Sequence, residues 1–312
     1  MKKSYLKYIS ALFIFGSNGI VASYIHLNGY EIVFLRTLIA SIFLLCVFLL
    51  SKRKLEVLEN KKDFLYLVAL GVTTGVSWIF LYQAYAEIGV SLATLTYYCG
   101  PIIIILLSPF VFKESLNIYK ILGSVVIFIG MILTNGNQCS NAGLSFGLVC
   151  GIFAALTYSI LIIFAKQVKV VSGIEYTLIQ LISCLITVGI YLTIKQGPYI
   201  PNLMQNIFPV LFLGIVNTGI GCCLYFSTIK ELSAGSVAIC GYLEPLSALL
   251  FSALLLSERL SFIQIIGAIC IIGGAIFAES YKYIKLSNYQ SKDSYCEIED
   301  SCELSADKSV SK

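Results

Sequence analysis

The chain has 312 residues, of which 58% are apolar and only 12% charged, with a formal net charge of +4. Soluble domains carry about 25% charged residues, and a chain of this size cannot hide so much apolar surface from water, so its solvent is expected to be lipid. The mean hydropathy of +0.89 agrees, and a small positive balance calls for no nucleic-acid partner when topology accounts for it.

Apolar runs of about 20 residues cross a bilayer as helices. Ten occur, at roughly 8–27, 31–50, 64–83, 91–112, 117–135, 143–165, 174–194, 207–228, 234–256 and 261–281. They are continuously apolar and too long for barrel strands, so the expected fold class is all-α integral membrane with ten transmembrane helices. The first run follows Lys2, Lys3 and Lys7 in the manner of a secretory leader. No small-residue cleavage site comes after it, which predicts a retained helix. The second run carries Arg36, and the third carries Thr73, Thr74, Trp78, Tyr82 and Gln83. The fourth opens on Tyr97, Tyr98 and Pro101 and ends at Glu114. The eighth holds Asn217, Thr218, Tyr225 and Phe226, and the ninth holds Tyr242, Glu244 and Pro245 and ends at Glu258. After Tyr281 the chain turns polar, with a small acidic run at Glu297, Glu299 and Asp300, and reads as a disordered cytoplasmic tail.

Lys and Arg set the orientation. With the N-terminus cytoplasmic, eighteen of them fall on the inner side, only Lys195 and Arg259 fall outside, and Arg36 lies within a run. One helix more or fewer would invert every later loop. The eleven cysteines are scattered, most within runs, and His26 is the one histidine. No C-x-x-C pair and no catalytic His/Cys/Asp constellation is visible, so neither a metal centre nor an enzyme is expected. No cofactor is implied, and no G-x-x-x-x-G-K-[ST] phosphate loop is found.

The chain repeats itself at an offset of 144 residues. Tyr98 corresponds to Tyr242, Pro101 to Pro245, Glu114 to Glu258, Thr74 to Thr218, Gly123 to Gly267 and Gly130 to Gly274. Special residues match in register, not merely Leu and Ile. The reading is two halves, 1–140 and 141–281, followed by the tail 282–312. Each half has five helices, an odd number, so the second enters the membrane inverted relative to the first. Two inverted five-helix repeats share a pseudo-two-fold axis in the membrane plane, and a site on that axis can open to either side.

The prolines lie inside runs of helical length, where each removes a backbone donor and opens the preceding turn. A cavity with water or polar side chains can satisfy the carbonyls this frees. Glu114 and Glu258 read as anchors at span ends, capping the next helix at Asn117 or Ser261 or pairing with a neighbouring cation.

The segments "YYCGPIIIILLSPFVFKESLNIYKILGSVVIFIGMILT" and "GYLEPLSALLFSALLLSERLSFIQIIGAICIIGGAIFA" resemble the two copies of the EamA domain of the drug/metabolite transporter superfamily. A proline within the helix, a glutamate at its end and a following Gly-x6-Gly helix carry the resemblance. "FLRTLIASIFLL", with Arg36, is similar to the family's second helix; the second copy departs there, with Gln180. The resemblance implies a carrier in the cell membrane with both termini cytoplasmic and a central cavity open to one side at a time.

Candidate substrate-binding residues are Arg36, Trp78, Tyr82, Gln83, Tyr97, Tyr98, Asn217, Tyr225, Tyr242 and Glu244, because polar and aromatic groups at depth are costly unless used. Tyr97, Tyr98 and Tyr242 fit a pocket or an interfacial belt. Arg36 fits a substrate carboxylate, a snorkelling cation or a pair with Glu31 or Glu87. Glu244 fits a substrate amine, an exchangeable proton or a solvated carboxylate in an outer cavity. Asn18 is placed to hydrogen-bond across helices. The expected function is a secondary transporter of a small organic metabolite, amino-acid-like and exported, with a coupling proton as a possible partner beside the solute and the lipid. An uptake carrier, or a sensor or assembly factor with the same fold, is the alternative.

Overall fold

The computed structural model describes residues 2–51, 55–114, 117–135, 146–197, 207–255 and 261–278. Eight helices there are long and apolar enough to cross a membrane: α1 (Lys3–Ser23), α2 (Gly29–Leu50), α3 (Lys61–Val90), α4 (Leu92–Phe112), α6 (Phe146–Gln167), α7 (Gly173–Gln196), α8 (Ile207–Ile229) and α9 (Ala234–Leu255). Two shorter apolar helices, α5 (Ile118–Thr134) and α10 (Phe262–Ala278), complete ten. The fold is all-α, two inverted five-helix repeats. Its outer surface suits lipid rather than water: Phe110 is 83% exposed, Phe208 82% and Phe262 76%.

Local sequence sets the helix ends. Asn28 begins α2 with a reciprocal cap: its side chain accepts from Glu31 N at 3.0 Å while its own N–H donates to Glu31 Oε2 at 2.9 Å. The third apolar run ends at Gln83, but α3 continues to Val90 and turns into α4 at Gly89, whose φ of 78° suits only glycine without strain. Lys113, at φ 55°, closes α4.

One span-end glutamate works differently from the expectation. Glu114 does not cap α5; Asn117 does, accepting from Tyr119 N at 3.0 Å. The Glu114 carboxylate instead receives Ala234 N at 2.8 Å, at the start of α9 in the other half. A carboxylate at a helix N-terminus meets unsatisfied N–H groups and the positive end of the helix dipole, so Glu114 ties the repeats together. Glu31 is held by Asn28, and Glu87 accepts from Gln83 Nε2 at 2.9 Å. Glu258, Arg259, Cys139 and the tail lie outside the described residues.

The helices pack in pairs that exchange when the halves are swapped. Helix α1 lies on α8 and α9 as α6 lies on α3 and α4, and α2 lies on α8 as α7 lies on α3. Helices α2 and α7 meet each other. The α5–α10 crossing is closer still. A Cβ on Gly123 would stand 2.7 Å from Gly274 O, one on Gly130 would stand 2.7 Å from Gly267 O, and the converse holds from the other helix. Real Cβ contacts are never so short, so these backbones touch as only glycines allow. Reciprocal contact of this kind marks a two-fold axis.

Candidate functional site

A cavity of about 160 Å³ sits among the helices where breaks in two of them meet. In α4 the helix stops at Tyr97 and restarts at Gly100, with Pro101 in its new first turn. In α9 it stops at Gly241 and restarts at Leu243, with Pro245 in the first turn. Proline is tolerated there because its missing N–H would have had no partner. The breaks fall on repeat mates, Tyr98 and Tyr242, whose rings lie 6.0 Å apart. The Tyr242 hydroxyl donates to Tyr98 O at 2.9 Å, so one repeat satisfies a carbonyl at the other's break.

Helix α8 is interrupted differently, with π-helical turns over Leu213–Ile220. The wider ladder has Thr218 Oγ1 donating to Leu213 O, five residues back, at 2.8 Å. Asn217 lies in the same stretch and fills the interruption of α1 at Ser17. Its Nδ2 reaches Ile14 O at 2.9 Å, Ser17 Oγ at 2.8 Å and Asn18 Oδ1 at 2.9 Å.

Seven of the ten sequence candidates line the cavity: Arg36, Trp78, Tyr82, Tyr97, Tyr98, Tyr225 and Glu244. Three do not. Asn217 is buried against α1, Tyr242 is fully buried behind Tyr98, and Gln83 faces Tyr30 and Glu87 on another side of α3. Tyr85, Thr94, Tyr158, Gln180, Cys222 and Phe15 also line the cavity and were not among the candidates. Tyr85 stands seven residues after Trp78, two helical turns along the same face. Tyr158 has no motif around it.

Arg36 is paired with neither Glu31 nor Glu87. Its Nε donates to Thr218 Oγ1 at 2.8 Å, and its guanidinium lies 4.7 Å from the centroid of the Trp78 ring. Stacking and a hydrogen bond together fix the plane of the guanidinium. Glu244 lines the same cavity as Tyr98 and Arg36, so the chamber holds charges of both signs. The repeat mate of Glu244 is Gly100, and nothing larger fits there: a Cβ would meet Tyr158 Cδ1 at 2.8 Å. The cavity is therefore symmetric in backbone but carries a carboxylate on one side only. Tyrosines build the rest, with Tyr97 and Tyr158 rings 5.2 Å apart and the Tyr158 and Tyr225 hydroxyls at 3.3 Å.

The EamA-like transporter family matches this chain twice, at residues 2–136 and 145–279. The chain belongs to that family. Among similar proteins, the uncharacterized transporter YxxF of Bacillus subtilis is 27% identical over 278 residues, covering 86% of this chain and 87% of its own. A second from that organism, the uncharacterized transporter YoaV, is 25% identical, covering 80% of this chain and 86% of its own. An Archaeoglobus fulgidus uncharacterized transporter is 25% identical over 253 residues, covering 78% of this chain and 85% of its own. A solved crystal structure of a protein shares the fold with a TM-score of 0.74 at 18% identity, covering 88% of this chain and 97% of that one. Family and relatives make the chain a multi-pass membrane transporter.

Proposed function

We propose that this transporter is a secondary carrier that exports a small, amino-acid-like metabolite across the cell membrane by alternating access. One observation carries the reading: a guanidinium, Arg36, and a carboxylate, Glu244, face one aromatic-walled cavity. Arg36 suits a solute carboxylate and Glu244 a solute ammonium. The size agrees, because an apolar cavity of about 150 Å³ accepts benzene and this one measures about 160 Å³. A half-buried carboxylate in an aromatic-walled cavity also suits exchange of a coupling proton.

The domains we assign are the halves 1–140 and 141–281, rocking against each other about the axis, with the tail 282–312 and the N-terminus in the cytoplasm. One group of bonds between the halves lies at the end of the bundle that carries the N-terminus. Ser4 donates to Glu231, Tyr8 to Val237 O at 3.0 Å and Val170 N to Asp63 Oδ2 at 2.7 Å, while Glu114 caps α9. These contacts would close the cytoplasmic side, and export would require them to open in turn.

A thermal-shift screen of the purified protein against amino acids and related metabolites tests the reading. Stabilisation by an amino-acid-like solute that is lost in Trp78→Ala is the expected result. Stabilisation by none of them, or stabilisation that ignores Trp78, would remove it.

A further inference from the structure

Arg36 and Gln180 hold the same register position in the two repeats, and they make the same contact with the halves exchanged. Arg36 Nε donates to Thr218 Oγ1 at 2.8 Å, and Gln180 Nε2 donates to Thr74 Oγ1 at 3.1 Å. Thr74 and Thr218 are themselves repeat mates. Each threonine hydrogen is already committed to its own helix, Thr74 to Leu70 O at 2.7 Å and Thr218 to Leu213 O at 2.8 Å. A hydroxyl has one hydrogen to give, so Thr74 can only accept from Gln180. That fixes the amide: the NH₂ group is spent on Thr74, and the carbonyl oxygen is left over.

This oxygen, Gln180 Oε1, is buried and has no hydrogen-bond partner. The side chain is 0% exposed, and it belongs to the cavity wall. Among the described residues the other partnerless buried atoms are on Ser41, Asn117 and Asn217, none of which lines the cavity. An acceptor left without a donor is rarely tolerated in a protein interior, and in a binding site the ligand is the natural donor.

We propose that Gln180 is a specificity-determining residue, whose Oε1 accepts a hydrogen bond from an N–H or O–H group of the bound solute. The proposal rests on the reading of the cavity as the transport site. Arg36 offers only donors, whereas Gln180 offers a free acceptor, so two positions that are equivalent by symmetry read opposite ends of the solute. The acceptor end lies toward Arg36 and the donor end toward Gln180 and Glu244. Divergence of the repeat here, together with Glu244 opposite Gly100, gives the chamber a direction.

The test uses the full-length purified protein and three probes of one carbon skeleton: L-leucine with an ammonium group, 2-hydroxy-4-methylpentanoate with a hydroxyl, and 4-methylpentanoate with neither. The wild type is expected to bind the first two at least tenfold tighter than the third. Gln180→Met removes the acceptor and should shrink that preference several-fold, with Glu244 left to read the donor, while leaving the ligand-free melting temperature unchanged or raised. Gln180→Arg copies the residue of the first repeat, which fits the facing threonine there, and should favour 4-methylpentanoate over L-leucine. Equal binding of all three to the wild type overturns the proposal. Discrimination undiminished in Gln180→Met overturns it while leaving the amino-acid-like reading standing. Binding of none by the wild type removes that reading and this proposal together.

Discussion

Replacing each of the two axis tyrosines by phenylalanine should give opposite phenotypes from one chemical change. Tyr242→Phe keeps the ring but deletes the hydroxyl that reaches Tyr98 O at 2.9 Å. Tyr242 is 0% exposed, so no water replaces it. Hydrogen bonds between membrane helices average about 0.6 kcal/mol, with an upper end near 1.7. Leaving a buried acceptor unpaired costs about 1–3 kcal/mol. With a carbonyl at a helix break as the orphan, the upper end applies, and the loss should be about 1.5–2 kcal/mol, roughly 10- to 30-fold in the unfolding equilibrium. Tyr98→Phe deletes the hydroxyl of a tyrosine that lines the cavity together with Glu244. Glu244 is only half-buried, so cavity water can take the place of that hydroxyl. This variant should lose less stability and should instead displace the pH profile of transport. Reversible unfolding of both proteins in SDS, alongside flux measured across a pH series, separates the two effects. Wild-type stability in Tyr242→Phe, or an equal loss in both variants, would refute the assignment of the hydroxyl to the helix break.

Glu244→Gln should abolish the dependence of liposome flux on a pH gradient while the protein remains folded; unchanged dependence removes the proton role. Arg36→Lys keeps the charge but loses the planar stack on Trp78 at 4.7 Å, so solute affinity in a binding titration should fall about tenfold. Gly130→Val would drive a side chain into Gly267 O, 2.7 Å from the Cβ position. It should cost about 1–3 kcal/mol in the same SDS assay, whereas tolerance would mean that α5 and α10 do not need to touch.

Much of the fold was legible because lipid leaves only one strong pattern: each run of about 20 apolar residues becomes a helix. The repeat was legible because Pro101/Pro245 and the glycine pairs have backbone consequences, and such positions do not drift as Leu and Ile do. The site was read less completely, for geometric reasons. Gln83 follows Trp78 by five residues, which turns it about 140° from the ring's face, whereas Tyr85, at seven, comes back to it. Tyr242 looked equivalent to Tyr98, but mates on an axis meet each other, so one ends up behind the other. Glu114 was expected to act locally; the N-terminus that it caps is 120 residues away, and no local spacing announces such a partner. Gln180 was visible only as the place where the second repeat departs from the first. Its meaning comes from Thr74, whose single hydrogen is already spent.

Saturable flux in proteoliposomes tests the central claim most directly. Vesicles holding the purified protein and loaded with a labelled amino acid identified by the binding screen should release it faster than protein-free vesicles, with a rate that saturates and that Trp78→Ala reduces. Equal release with and without the protein would contradict the account.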